Sequence, residues 1–134
     1  MAIRSAAIAN GGVAVTPRLI SSSTAPTMQL LNRTEDRRMM STMTADTLRK
    51  MMSRTVSDYY GTSYFTDSLS ICAKTGTAEV GDGIPAHAWV TGFAEDEDCP
   101  LAFSVIVEHG DSGYREAIPV ASAVLQEAAR CMRE

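Results

Sequence analysis

Lys74-Thr75-Gly76-Thr77-Ala78-Glu79-Val80 is the stretch on which the reading of this chain turns. If it is a strand, alternate side chains share a face, which puts Thr75 and Thr77 together with the Lys74 cation beside them. Gly76 between the threonines leaves the strand surface bare, as a strand-interior glycine does where a ligand or another backbone comes close. On an edge strand the N–H of Thr77 is left unpaired. A fixed cation, hydroxyl donors and a free backbone N–H are what a serine acyl-transfer site offers a substrate that carries a carboxylate. Such a site also needs a nucleophile in a Ser-x-x-Lys tetrad and an element of the Ser-x-Asn type. Neither spacing occurs at any serine of the chain. The stretch is expected to be one wall of a site whose other walls lie elsewhere.

Outward from it the pattern is strand-rich. Residues 70–78, 86–94 and 101–109 are apolar and β-branched runs of strand length. Glu95-Asp96-Glu97-Asp98 separates the last two as a hairpin turn. Residues 119–132 predict a terminal helix with Pro119 in its first turn and Val120, Val124, Ala128 and Cys131 along one face. Before the strands, residues 2–10 carry Ala and Ile at a helical period and stop at Asn10-Gly11-Gly12, a cap and turn. Residues 13–20, with Pro17 inside, suit at best a short or edge strand. Residues 21–41, rich in Ser, Thr and Arg, form a long excursion. A second helix is expected over 44–59, with Leu48, Met51, Met52, Val56 and Tyr59 on one buried face. Those methionines suit a flexible peptide groove, but they share the stripe with Leu48 and Val56, which assigns them to the core.

Together these elements predict an α+β fold in a single unit over residues 1–134, mostly helical over 1–60, with three strands and the terminal helix over 70–134. The expected architecture is an antiparallel sheet of three main strands with helices on both faces, the terminal helix on one and the earlier helices on the other.

Ile71-Cys72-Ala73-Lys74-Thr75-Gly76-Thr77-Ala78-Glu79, followed by Pro85-Ala86-His87-Ala88-Trp89-Val90-Thr91-Gly92-Phe93-Ala94, resembles the third and fourth strands of a penicillin-binding protein transpeptidase domain, class B type. Ala6-Ala7-Ile8-Ala9-Asn10-Gly11-Gly12, Val105-Ile106-Val107-Glu108 and Ala117-Ile118-Pro119-Val120-Ala121 resemble its helix end, fifth strand and last-helix entry. The resemblance spans almost the whole chain and implies a C-terminal piece of an incomplete β-lactamase/transpeptidase-like domain. It implies that Lys74 organises the electrostatics of the site and that Thr75 and Thr77, flanking Gly76, bind the carboxylate of the substrate or of a β-lactam. It further implies that the backbone N–H of Thr77 is one of two oxyanion donors, the other belonging to a nucleophile serine for which no position matches. The partners implied are the peptidoglycan stem peptide and β-lactams. The parent would be a serine-type D,D-transpeptidase anchored in the bacterial cytoplasmic membrane with this domain on the outer side, and the isolated chain would be inactive. The residues leave two other readings open, a β-lactam sensor of the same fold and a non-catalytic interaction module.

Composition fits part of a globular domain. With 134 residues and 45% apolar content the chain can build one core, and it has neither an apolar run of membrane-spanning length nor a targeting segment. The net charge of -4 argues against nucleic acid, and Glu35 and Asp36 dilute Arg33, Arg37 and Arg38 into a solvated loop. Cys72, Cys99 and Cys131 are odd in number and widely spaced, so no disulfide framework, metal site or cofactor is expected; His87 and His109 are strand and strand-end residues. Trp89 is expected to be a packing anchor, Glu79 a surface carboxylate and Gly81-Asp82-Gly83 a flexible loop. The outer edge of the 101–109 strand, with Phe103, Val105 and Val107, is expected to be open, which predicts a homodimer or higher self-association.

Overall fold

The elements run in the order α1 (Ala2–Ala9), β1 (Val13–Ala14), β2 (Arg37–Arg38), α2 (Thr42–Thr55), β3 (Ile71–Ala78), β4 (His87–Ala94), β5 (Ala102–Val107) and α3 (Ile118–Arg133). They are taken from a computed structural model that describes residues 1–17, 37–61, 64–65 and 68–134. The apolar runs form an antiparallel sheet in the order β3-β4-β5, with β4 in the middle. Its register sets Lys74 opposite Thr91, Gly76 opposite Trp89 and Val90 opposite Val105. Because side chains alternate along a strand, that register decides which residues meet which helix.

On one face Ile71, Ala73, Ala88, Val90 and Ala94 pack with Ile118, Ala121, Leu125 and Ala129 of α3 in the larger core. On the other, Cys72 and Phe93 pack with Met52, flanked by Ile8 of α1 and Ala102. The fold is therefore α+β with helices on both faces. α2 differs from expectation: Met52 joins the core on the α1 side, whereas Val56 joins the core on the α3 side. This helix spans the β3 side of the sheet and reaches both faces.

Two helical faces also differ from their sequence reading. On α2 the stripe is Ala45, Met52 and Val56 with Leu48 half-buried, and it continues to Tyr60, while Met51 is 60% and Tyr59 80% exposed. The cause is local. After Thr55 the chain makes one wide π-type turn over Val56–Tyr60, closed by the Gly61 N–H on the Val56 carbonyl at 2.9 Å. Such a turn holds an extra residue and moves the inward position from Tyr59 to Tyr60. On α3 the buried residues are Ile118, Ala121, Ser122, Leu125 and Ala129, while Val120, Val124 and Cys131 are exposed and Ala128 is half-buried. A second wide turn, Gly113–Ala117, leads directly into the helix and seats Ile118 fully in the core, which sets the phase of everything after it.

The remaining expectations meet smaller changes. Ser41 caps α2 by accepting the Thr44 N–H at 3.1 Å, so the helix starts two residues earlier than its apolar pattern. β1 pairs with β2, and Arg38 donates to the carbonyls of Gly11 and Met40 at 3.0 and 3.1 Å, so Arg37 and Arg38 form a strand where a loop was expected. Residues 18–36, most of the expected excursion and Arg33 with them, lie outside the described residues. At the far end Arg133 binds Asp98 at 2.6 Å and the Ser68 carbonyl at 3.2 Å, tying α3 to the β4–β5 turn. Cys72 and Cys99 are buried free thiols. Burial, reinforced by the nearby Glu95 carboxylate, pushes the Cys72 thiol up to about 12, so it stays neutral through the physiological range. Among the described residues no helix is long and apolar enough to cross a membrane.

The phase of α3 can be checked directly. Leu125→Ala removes a side chain that is 2% exposed and is expected to cost about 2–5 kcal/mol. Val124→Ala, at a position 61% exposed, is expected to fall within about 0.5 kcal/mol of wild type. Urea unfolding followed by circular dichroism measures both, and the reverse order would show that the helix presents its other face.

Candidate active site

The site residues lie where β3 stops being covered. Among the described residues no strand pairs with the long edge of β3 opposite β4. The Thr75 N–H points out across that edge and donates to the Tyr60 hydroxyl at 2.9 Å. Residues two apart in an antiparallel strand direct their N–H groups to the same side. The Thr77 N–H therefore points out the same way, and among the described residues it meets no acceptor.

Side chains reach this edge from both faces. Thr75 and Thr77 lie on the α3 face, Thr75 half-buried and Thr77 exposed. Lys74 starts from the opposite face, and its exposed Nζ turns to donate to the Thr75 carbonyl at 2.9 Å. It forms no ion pair among the described residues. A groove of about 270 Å³ runs beside it, lined by Met1, Lys74, Gly76, Thr77, Trp89 and Thr91 among others.

Trp89 belongs to that groove. It is half-buried and lies in neither buried core, contrary to its reading as a packing anchor, because it stands opposite Gly76, which has no side chain to cover it. A Cβ on Gly76 would meet only the Trp89 Cβ, at an ordinary 3.6 Å. The fold itself does not require glycine there. Behind the groove the Ser5 hydroxyl, 2% exposed, lies 2.7 Å from the Thr91 hydroxyl, which donates to the Phe103 carbonyl at 2.9 Å. A hydroxyl has one proton, so Ser5 is the donor to Thr91, and α1 is tied to β4. Glu79 is exposed at the strand end, and the His109 N–H donates to His87 Nδ1 at 3.1 Å beyond it.

Sequence reasoning missed two residues here. Tyr60 is 7% exposed, and its hydroxyl also lies 2.8 Å from Thr75 Oγ1. Gly113 brings the second wide turn onto the strand pair: a Cβ there would lie 2.5 Å from the Trp89 carbonyl oxygen and 2.8 Å from that of Gly76. Tyr114, next in that turn, stacks on Tyr60 and Tyr64 at 5.9 and 4.6 Å between ring centroids, and hydrogen bonding with Tyr64 pushes its phenol up. Neither residue carries a local motif. A Tyr-Tyr pair at the end of an amphipathic helix was the sole signal for Tyr60, and the straight helical period selected the wrong member.

This geometry coincides with a known family. Residues 1–127 match the model of the penicillin-binding protein transpeptidase domain, and the chain belongs to that family. It is 33% identical over 138 aligned residues to the peptidoglycan D,D-transpeptidase PbpA of Mycolicibacterium smegmatis, an alignment covering 93% of this chain and 28% of that protein. Penicillin-binding protein A from M. tuberculosis, solved as a ceftriaxone acyl-enzyme complex, superposes with a TM-score of 0.78 at 31% identity, over 96% of this chain and 31% of that one. The D,D-transpeptidase domain of a peptidoglycan glycosyltransferase from Eggerthella lenta gives 0.75 at 27% identity, over 97% and 31%. The chain thus spans under a third of the length of these relatives.

The two glycines at the site should behave oppositely. Gly113→Ala is expected to destabilise by about 1–3 kcal/mol, because a methyl group there runs into backbone that cannot yield. Gly76→Ala is expected to stay within about 0.5 kcal/mol of wild type. Thermal unfolding decides it; equal losses would mean that the wide turn is not pressed against the β3–β4 pair.

Proposed function

We propose that this chain supplies the sheet-side wall of the active site in a longer serine-type D,D-transpeptidase, which cross-links peptidoglycan and is acylated by β-lactams. The observation that carries the proposal is the outward Thr77 N–H and the Lys74 cation, neither with an acceptor or ion-pair partner at that position among the described residues, set beside the Thr75 and Thr77 hydroxyls on one strand edge. In the reaction a serine outside these 134 residues attacks the carbonyl of a D-alanyl-D-alanine bond, its proton passing to a neighbouring base. The oxyanion that forms accepts the Thr77 N–H and an N–H of the nucleophile itself, donors that are each worth roughly 10²–10³ in rate. Collapse expels the terminal D-alanine with a proton on its amine, and the acyl-enzyme is then transferred to a second amine. Lys74 sets the positive field, while Thr75 and Thr77 bind the terminal carboxylate of the stem peptide or of the β-lactam that stands in for it. Gly76 keeps the strand low where the substrate backbone lies. No cofactor enters these steps.

Action on peptidoglycan, the activity named for the relatives, supports placing the full-length protein in the bacterial cytoplasmic membrane, with this domain on the outer side. Nucleic acid has no part in the proposal.

Intact-mass spectrometry with benzylpenicillin tests it. The full-length protein is expected to gain one antibiotic mass on a serine outside this chain, and the isolated chain to gain none. An adduct on a serine within residues 1–134 would overturn the assignment. Lys74→Ala is expected to slow acylation by about 10–100-fold, the worth of a hydrogen bond to a charged group. Gly76→Val at matched stability is expected to slow it more than it affects folding. An acyl-enzyme that forms and never transfers to an amine would instead identify a β-lactam sensor.

The isolated chain should also self-associate. Among the described residues the outer edge of β5 is unpaired, with Phe103, Val105 and Val107 half-buried beside it and Ile106 43% exposed. Such an edge is a template for antiparallel pairing with a second copy about a two-fold axis. Light scattering at micromolar concentration is expected to give a dimer or larger species; a monomer with protected amides along residues 102–107 would show that the edge is covered from within the chain.

A further inference from the structure

We infer that Tyr60 is a positioning residue for the carboxylate subsite: its single hydroxyl turns the Thr75 proton toward the substrate. This rests on the transpeptidase reading above and adds to it a residue outside the Lys-Thr-Gly strand.

Proton accounting gives the direction of the bonds. The Thr75 N–H can only donate, so the Tyr60 oxygen accepts at 2.9 Å. The second contact, 2.8 Å between Tyr60 Oη and Thr75 Oγ1, has two possible directions. If Thr75 donated, the phenol proton of a residue 7% exposed would have no acceptor among the described residues, an unsatisfied donor. If Tyr60 donates, every proton is used: Thr75 Oγ1 accepts from the phenol, and its own proton is left facing the open edge. A carboxylate needs donors, and this arrangement presents one whose oxygen is already polarised by the bond it receives.

Tyr60 is held to this task from two sides. The wide turn Val56–Tyr60 brings the ring inward, and Tyr114, from the turn that presses on Gly76 and Trp89, packs on it at 5.9 Å. Wide turns of this kind are frequent at functional sites.

The test is a double-mutant cycle in the full-length protein with Tyr60→Phe, Thr75→Val and both together. Each is read as the second-order rate of acylation by benzylpenicillin and by its methyl ester, with folding checked by thermal unfolding. Tyr60→Phe keeps the ring and its packing. It is expected to slow acylation by benzylpenicillin about tenfold, the worth of one hydrogen bond, and by the ester less than threefold. The double variant is expected to be no slower than Thr75→Val alone. Equal losses on acid and ester, or losses that multiply in the double variant, would overturn the inference while leaving the carboxylate role of Thr75 intact. A Thr75→Val variant that no longer separates acid from ester by its own loss would overturn both.

Discussion

The open half of the β3 edge is the constraint around which the molecule is arranged. A strand edge exposes N–H and C=O groups that folding otherwise pairs, and leaving them bare invites unwanted strand addition. Here the edge is covered as far as it can be without closing the site. α2 lies on the β3 side of the sheet and reaches one core through Met52, and the wide turn that follows it reaches the other through Val56. Its last wide turn delivers Tyr60 to the Thr75 N–H, and Gly61, at φ 78°, ends the helical chain there. One strand repeat further on, the outward N–H of the exposed Thr77 meets no acceptor among the described residues.

Stability and chemistry occupy different parts of this sheet but share one register. The faces hold the molecule together: Val90 and Ala88 of the central strand pack against Ile118 and Leu125, while Phe93 and Cys72 pack with Met52 on the other side. The open edge holds Lys74, Gly76 and Thr77. The two are linked because Lys74 faces Thr91 and Gly76 faces Trp89 across the same ladder. A slip of one residue would turn Cys72 and Lys74 into the α3 core and Ala73 and Thr75 out of it. Burial of Ile71, Ala73 and Val90 therefore also fixes the position of Lys74 at the groove.

The strands and the site stretch were legible in the sequence because their signals are short-ranged. A period of two, β-branched composition and the Lys-Thr-Gly order placed β3, β4 and β5 to within about two residues. What was not legible depends on phase. Val120 and Val124 lie on one helical stripe of α3, and Ala121 and Leu125 on another of similar composition, so periodicity alone could not choose between them. The choice is made by Gly113, whose missing side chain lets the preceding turn sit on the Trp89 and Gly76 carbonyls and so seats Ile118 in the core. Tyr59 and Tyr60 pose the same problem, resolved by a wide turn that no propensity encodes. Trp89 was misread for a related reason, since its surroundings are set by the residue missing opposite it.

The two unpaired edges of this sheet differ in kind. The open part of β3 carries Lys74, Gly76 and Thr77, a charge, a bare backbone and an exposed hydroxyl, which is how natural edge strands resist pairing. It can stay open without recruiting a second strand. β5 has no such guard, since Ala102, Phe103, Val105 and Val107 are half-buried and Ile106 is exposed beside an unpaired backbone. Its Ser104 hydroxyl is buried with no hydrogen-bond partner among the described residues, an unmet need of the kind that usually costs about 1–3 kcal/mol. The two edges therefore differ in how they resist strand addition, β3 by a charge and a bare glycine and β5 by nothing comparable among the described residues, with β4 between them.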